Sequence, residues 1–522
     1  MDVESNLKAP EQWQPTKAEW TIMISLSLVS LMVALDATIL VAVLPVRSIS
    51  SALNGTSIEA FWAGTSYLLT SAIFQPVIAS ISEVFGRQQL LLASLCFFTV
   101  GTILCSVANG FEVLLVGRSI QGIGGGGIIT MSQVIFCDIV PLRQRPRYFA
   151  LVLGSWSVGS IIGPVTGGVL CTNTTWRWVF YINFPFCFLG FVLAVVFVKL
   201  NAVSKLTFAE KLKRTDWIGA LLFLGGSSSF LIGLSWGGVQ YSWKSYQTLV
   251  PLIVGAAVVV AFGCWQRRVS PNSLIPLSIF YCPSAVAAFY CAMINGLVLF
   301  SGLYYYPFYC MAVRGTTPTQ SGIDLFPTLF FLIPGSIVVA ILTARLGRFR
   351  WAIWIGWAIT TVGAGILILL DEHTKTAVWV TGLAILGIGS GMVLSSVNVG
   401  IQAISKVEDC AMAASMYGFM RSLGMPVGVA VSGTIFQNAM SSKLTSLGLP
   451  SEIAHDSERY IYVLRKMAET DPARIATLEA YVHGFRGVWV LMMAISASAL
   501  AASFLIKKFD MNKILLSKFT AR

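Results

Sequence analysis

Two charged residues interrupt long apolar runs: Asp36 in LDATILVAVLP (35–45) and Arg118 in VGRSIQGIGGGGII (116–129). A carboxylate in such a run is costly unless it faces water or a partner, which makes it a natural place to take up and release a proton. A guanidinium held beside it would favour the carboxylate form and tie its protonation to whatever else enters the same space. Each residue also has a structural reading: Asp36 as a hydrogen-bonded brace between helices, Arg118 as a clamp on backbone carbonyls. Other chemistry is poorly served. His373, His455 and His483 form no H-E-x-x-H pair, the ten cysteines contain no C-x-x-C, and no G-x-x-x-x-G-K-[ST] loop is present. No catalytic group, metal, cofactor or ATP drive is therefore expected, and the chain does not read as an enzyme.

Those two residues need a scaffold that carries them into a bilayer. The 522-residue chain is 56% hydrophobic and 11% charged, against roughly 25% charged residues in soluble domains, and its mean hydropathy is +0.77. Apolar runs of about 20 residues, enough to cross a hydrocarbon layer about 30 Å thick, recur about fourteen times between residues 21 and 506. The expected fold is an all-α polytopic membrane protein. A polar tail covers 1–20 and a six-helix bundle 21–199, followed by a linker with two inserted helices over 200–283. A second six-helix bundle spans 284–506, with an outer loop at 439–486, and a basic tail fills 507–522. ISEVFGRQQ (81–89) is echoed by TARLGRFRW (343–351), as two repeats around a midplane site would produce. The first twenty residues are polar and the first apolar run lacks an A-x-A-like site, so no cleavable signal is expected.

The net charge of +12 is not spread evenly. Arg143, Arg145, Arg147, Lys199, Lys205, Lys211, Lys213, Arg214, Arg267, Arg268, Arg345, Arg348, Arg350, Lys507, Lys508, Lys513 and Lys518 fall in alternate loops. The other short loops hold about one basic residue each: Arg47, Arg177, Lys244 and Arg314. This is the positive-inside pattern and places both termini in the cytosol; it argues against a nucleic-acid partner. The partners expected are a lipid bilayer, protons and a small molecule, with the chain working as a monomer.

Further motifs surround the charged pair. ASISEVFGRQQ (79–89) sets Glu83, Gly86 and Arg87 on a turn between spans two and three. Gln121, Gly122 and Gly124 follow Arg118, and the run Gly124–Gly127 reads as close packing rather than phosphate binding. In GSWSVGSIIGPVTGGVL (154–170), Gly159, Gly163 and Gly167 recur every fourth residue, with Pro164 and Gly168 beside them. Such a stripe lets a second helix approach closely. Tyr67, Gln75, Asn295, Tyr304, Tyr305, Asn398 and Gln437 are mid-span groups suited to a broad pocket, although each alone reads equally as helix glue. Asn54 and Asn173 sit in N-x-[ST] sequons in short outer loops, weak glycosylation sites. Arg421 reads as lying near the cytosolic side of span thirteen, as a gate or an anchor, and Asp324 as a solvated residue near the outer end of span ten.

Taken together, these motifs resemble the major facilitator superfamily, specifically its fourteen-span drug:proton antiporters (DHA2-like) and their fungal efflux-pump branch, over residues 20–506. The resemblance implies that the acid at Asp36 serves transport or proton handling and that spans one and four line a cavity. It matches Arg118, Gln121, Gly122 and Gly124 to the family's fourth-helix motif. It also implies that the acid and base of the 79–89 motif clamp helix ends across the two halves; this sequence departs there, with Ala79 for Gly and Glu83 for Asp. The stretch from Gly159 to Gly168 matches the antiporters' G-x-x-x-G-P-x-x-G-G in full, a motif that accompanies export. WRWVFYINFP (176–185) and FMRSLGMPVGVAVSGTIFQN (419–438) match the same branch. The implied function is secondary active efflux of an amphipathic small molecule, a fungal secondary metabolite or mycotoxin and also antifungal drugs, by proton antiport and alternating access at the plasma membrane. Vacuolar transport of basic amino acids and siderophore export remain open, and a membrane-embedded enzyme or a sensor fits least.

Overall fold

Thr16 starts the first membrane helix with a reciprocal cap. Its hydroxyl accepts from the Glu19 N–H at 3.3 Å while the Glu19 carboxylate accepts from the Thr16 N–H at 2.7 Å. The protein is seen here as a computed structural model that describes residues 14–40, 53, 57–200, 207–237, 240–268 and 273–511. Among these, fourteen helices are long and apolar enough to cross a membrane. They are α1 (Lys17–Ile39), α2 (Trp62–Phe85), α3 (Arg87–Ser106), α4 (Phe111–Ile139), α5 (Arg145–Leu170), α6 (Trp178–Val196) and α7 (Trp217–Trp236). The chain continues with α8 (Tyr246–Arg268), α9 (Pro283–Ala312), α10 (Thr319–Leu346), α11 (Arg350–Leu367), α12 (Thr376–Ile404), α13 (Cys410–Ser446) and α14 (Pro472–Ser503). Asn54, Arg47, Lys205, Lys513 and Lys518 lie outside the described residues.

The helices form two six-helix bundles, α1–α6 and α9–α14, with α7 and α8 paired beside the seam between them. Trp236 of α7 meets Trp62 of α2 at 6.5 Å, and Phe223 of α7 meets Phe419 of α13 at 5.4 Å, so the inserted pair touches both bundles. Phe188, Leu221, Val254 and Val260 stay exposed, because helices apolar all round can turn side chains toward lipid without cost. The loops with Arg87, Arg143, Arg348 and Lys508 gather at one end, here the basic end; those around Arg177, Lys244 and Arg314 lie at the far end.

Close packing depends on glycine where backbone meets backbone. A Cβ at Gly124 would strike the backbone of Phe98 in α3, and one at Gly126 the backbone of Ser71 in α2. The glycine run therefore lets α4 sink between α2 and α3. Gly86 has φ +109° and ends α2 so that α3 can start at Arg87, a conformation few other residues adopt.

Residues 439–486 are more helical than a membrane-external loop suggests. The helix α13 continues to Ser446 and α14 begins at Pro472, braced by a 2.8 Å Lys443–Glu479 ion pair and by Phe436 packed at a tilt on Phe485 at 4.7 Å. Between them a short helix, Ser457–Leu464, is tied to α9 and the loop after it by Arg465, which donates to the carbonyls of Met311 and Thr316 at 3.1 and 2.7 Å. Burial, and then the charge of Asp456, push the Glu458 carboxyl from 4.5 up to about 7. A carboxyl raised on folding favours the folded state at low pH and loses that advantage as pH rises. Melting temperature should therefore fall as pH climbs from 4.5 to about 7, and Glu458→Gln should flatten that slope. Identical slopes in both proteins would refute the assignment.

Candidate functional site

Asp36 and Arg118 meet. The Arg118 Nη1 donates to Asp36 Oδ2 at 2.7 Å, with the two side chains 1% and 0% exposed. The apolar run suggests a place well inside a span, yet α1 ends at Ile39 and Asp36 stands in its last turn. Five further groups complete the site. Gln121 donates to Asp36 Oδ1 at 2.9 Å and accepts from Arg118 at 2.7 Å. Asn183 of α6 donates to the same Oδ1 at 2.8 Å, and Arg118 Nε donates to the Ala63 carbonyl at 3.0 Å. The Arg118 guanidinium also lies 4.3 Å from the centre of the Tyr67 ring, a cation–π contact strengthened by exclusion of water. Thr102 of α3 holds the Gln121 amide from behind at 2.9 Å. Five helices thus converge on one carboxylate. Arg118 pairs with an acid and also holds a backbone carbonyl.

Asn183 and Thr102 were not singled out by sequence. Asn183 sits in the phrase WRWVFYINFP, and an amide inside an apolar run was the available signal. Gly122 explains why the site fits together: a Cβ there would strike Tyr67 and Thr70.

At the basic end, Arg87 is buried and donates through Nε to Asp138 at the end of α4 at 3.0 Å, while half-exposed Glu83 lies 3.8 Å away. That pair ties α3 to α4 inside the first bundle. Contacts between the bundles come from the next loop. Arg143 donates to the carbonyls of Ala344 and Arg345 at 3.3 and 3.5 Å. Arg145 donates to Gln402 of α12 at 2.8 Å while holding the carbonyls of Val140 and Cys137. Gln402 in turn donates to Asn398 at 2.7 Å, beside a water-sized cavity of about 20 Å³ that Gln133 and Ser395 also line.

The small-residue stripe of α5 works on two sides. A Cβ at Gly159 would lie 2.6 Å from the Leu31 carbonyl, and one at Gly163 would strike Thr38, both in α1. Toward the far end the stripe meets the second bundle: Gly168 faces Thr319 and Pro164 faces Gly322. Gly167 is buried with them. Asn173, one turn on, is exposed and donates its amide to Val169 at 3.1 Å.

The pocket-type residues separate into two groups. Gln75 donates to Ser422 of α13 across the seam at 2.8 Å, and its own oxygen has no partner. Asn295 bonds the Ser390 carbonyl at 3.3 Å and Tyr305 the Val429 carbonyl at 3.2 Å, both within the second bundle. Gln437 has a buried oxygen without a partner, and Tyr304 stands within electrostatic reach of Arg118. Two positions differ from expectation. Asp324 is not solvated: it is buried, paired with Arg314 at 3.0 Å and bonded by Gln320 at 2.9 Å. Arg421 is not near an end of its helix; it stands eleven residues in from Cys410, roughly 16 Å deep at about 1.5 Å per residue.

A family model described as Major Facilitator Superfamily matches residues 26–429. The chain belongs to the major facilitator superfamily. This superfamily chain is 42% identical over 505 residues to MFS transporter L2 of Phoma sp., covering 96% of its own length and 84% of that protein. It is 31% identical over 529 residues to the MFS-type efflux pump LUC4 of Fusarium sp., covering 99% and 93%. Its fold is also similar to that of a bacterial homolog of the human lysosomal transporter Spinster, crystallised inward-facing and unoccupied. The TM-score is 0.58 at 18% identity, with 94% of this chain and 98% of that one covered. The major facilitator superfamily assignment puts the Asp36 network inside a transporter bundle.

Proposed function

We propose that this chain exports an amphipathic small molecule, a fungal secondary metabolite or mycotoxin and with it some antifungal drugs, in exchange for protons by alternating access. The observation that carries the reading is the wholly buried Asp36–Arg118 pair with Gln121 and Asn183 closing around it; the relatives named efflux pumps support the direction. A proton added at Asp36 Oδ2 replaces the ion pair. Arg118 is not stranded by that step, because it keeps the Ala63 carbonyl, the Gln121 oxygen and the Tyr67 ring. Proton loading therefore releases the guanidinium from its carboxylate while its other partners hold it, and an ion pair that is made and broken with each proton is a two-state element that can bias one bundle arrangement over the other.

In this scheme the basic end faces the cytosol with both termini, the membrane is the plasma membrane, and one chain is the working unit. Substrate enters at the basic end while Asp36 is ionised. It leaves at the far end, where the acidic exterior supplies the proton that the return step delivers inward. Arg143 and Arg145 part when the basic end opens. The test uses inside-out vesicles with an acidic lumen and a fluorescent amphipathic drug. Drug should accumulate in the lumen and fall to the passive level when a protonophore collapses the gradient. Accumulation indifferent to the protonophore would remove proton exchange from the scheme.

A further inference from the structure

The seam between the bundles holds a cation that no carboxylate neutralises. Arg87, Arg118 and Arg314 each have an acid within 4.0 Å, whereas Arg421 has none among the described residues. Its guanidinium crosses from α13 to the first bundle and lies 4.9 Å from the centre of the Trp156 ring of α5. Its Nε is buried and has no hydrogen-bond partner. The nearby Tyr417 hydroxyl is already committed to the Leu394 carbonyl at 3.0 Å. Arg421 as a whole is only part-buried; an unpaired cation at mid-depth in a membrane is expensive unless it faces water or a ligand, and such groups mark the path of what the protein moves.

Other polar groups converge on the same level. Gly418 lies one helical turn before Arg421, and a Cβ there would be 2.9 Å from Gln133 Oε1 and 3.1 Å from Gln75 Oε1. Both amide oxygens are buried and without partners, and Ser422 joins them through Gln75. Within one turn of α13, the two bundles together present a guanidinium, an aromatic face, two amides and a hydroxyl.

We propose that this constellation is the head-group subsite of the transport cavity, that it binds a carboxylate or similarly compact acidic group, and that the exported molecule is an amphipathic acid. The inference rests on the efflux reading above. A guanidinium presents paired N–H donors to a carboxylate, and either glutamine can turn its NH₂ toward the remaining lone pairs. The Trp156 ring beside the guanidinium offers an aromatic surface for an apolar body. A basic amino acid would meet a like charge here with no acid beside it, which disfavours that alternative.

The test measures apparent Kd for 1-pyrenebutyrate, 1-pyrenebutanol and 1-pyrenebutylamine on the purified full chain, by ligand-dependent thermal stabilisation. A charge-assisted hydrogen-bonded pair predicts that the acid binds about tenfold or more tightly than the alcohol, with the amine weakest. Arg421→Gln should bring the acid-to-alcohol ratio within about twofold, and Arg421→Lys should keep part of the preference, because it retains the charge without the fork. Should the Gln variant fail to fold, the wild-type ratio and the Lys variant decide. Equal binding of acid and alcohol, no binding of the acid, a preference for the amine, or an unchanged ratio in Arg421→Gln or Arg421→Lys would each overturn the subsite. Gradient-driven export of a neutral drug alongside any of those results would leave the efflux reading standing. Loss of gradient-driven transport for every probe would remove both.

Discussion

Arg118→Ala should lose most of its folded, membrane-inserted yield, while Asp36→Asn should fold and fail at coupling. The asymmetry follows from who is left behind. Removing Arg118 leaves a carboxylate with 0% exposure and only neutral amide donors, and stripping one partner from a buried pair costs about 3–5 kcal/mol. Removing the Asp36 charge leaves Arg118 with a carbonyl, an amide oxygen and an aromatic face. Asp36→Asn should therefore exchange substrate normally across a membrane with equal pH on both sides. It should lose gradient-driven accumulation by tenfold or more, the equivalent of about 1.4 kcal/mol. Asp36→Asn combined with Arg118→Gln should recover much of the stability that Arg118→Ala forfeits, since no unpaired charge remains. Melting temperature checks the first half of the argument and vesicle uptake the second. Full pH-driven accumulation by Asp36→Asn would send the proton elsewhere.

Gly163→Leu should abolish transport by forcing α1 and α5 apart. The first carbon of the new side chain would strike Thr38 and lie 3.1 Å from the Ile39 nitrogen and 3.2 Å from the Leu35 carbonyl. The neighbours on this side are largely backbone, which cannot yield by changing rotamer. Overpacking costs about 1–3 kcal/mol when side chains can shift, and here the cost should lie at or above the top of that range. The clash also falls on the helix that carries Asp36, so a protein that survives it should show a displaced ion pair. Gly154→Ala is the control, because a Cβ there has nothing within 4 Å; its melting temperature should match or exceed wild type. Equal transport by Gly163→Leu and wild type would mean that the α1–α5 contact is not needed.

Sequence legibility differed between fold and site for physical reasons. Apolar length and alternating loop charge depend on local composition alone, so the fourteen membrane helices could be read directly. Asp36 and Arg118 were equally visible, because a charge in an apolar run stands out wherever it is. Their pairing was not, since it depends on how α1 and α4 cross. Asn183 was hidden for a related reason: a single amide carries no period and gains meaning only when α6 sets it against Asp36. The depth of Arg421 is not legible in sequence because α13 extends over 37 residues, longer than a bilayer requires, so its ends do not mark the membrane. The partner of Asp324 is hidden in sequence because Arg314, ten residues away, lies beyond a helical turn and returns to it only through the chain reversal between α9 and α10.

The contacts between the bundles at the two ends also differ in what they ask of their side chains. At the basic end the contact is made by Arg143 and Arg145 reaching to α10 and α12, and ordering one arginine costs up to about 2 kcal/mol of rotamer freedom. At the far end Gly168 lies against Thr319 and Pro164 against Gly322; glycine and proline have no comparable freedom to lose. Closing the basic end therefore carries an entropic penalty that closing the far end lacks. In the proposed alternating-access scheme, warming should weaken the arginine contact more than the glycine–proline contact and so shift the balance between the two closed ends.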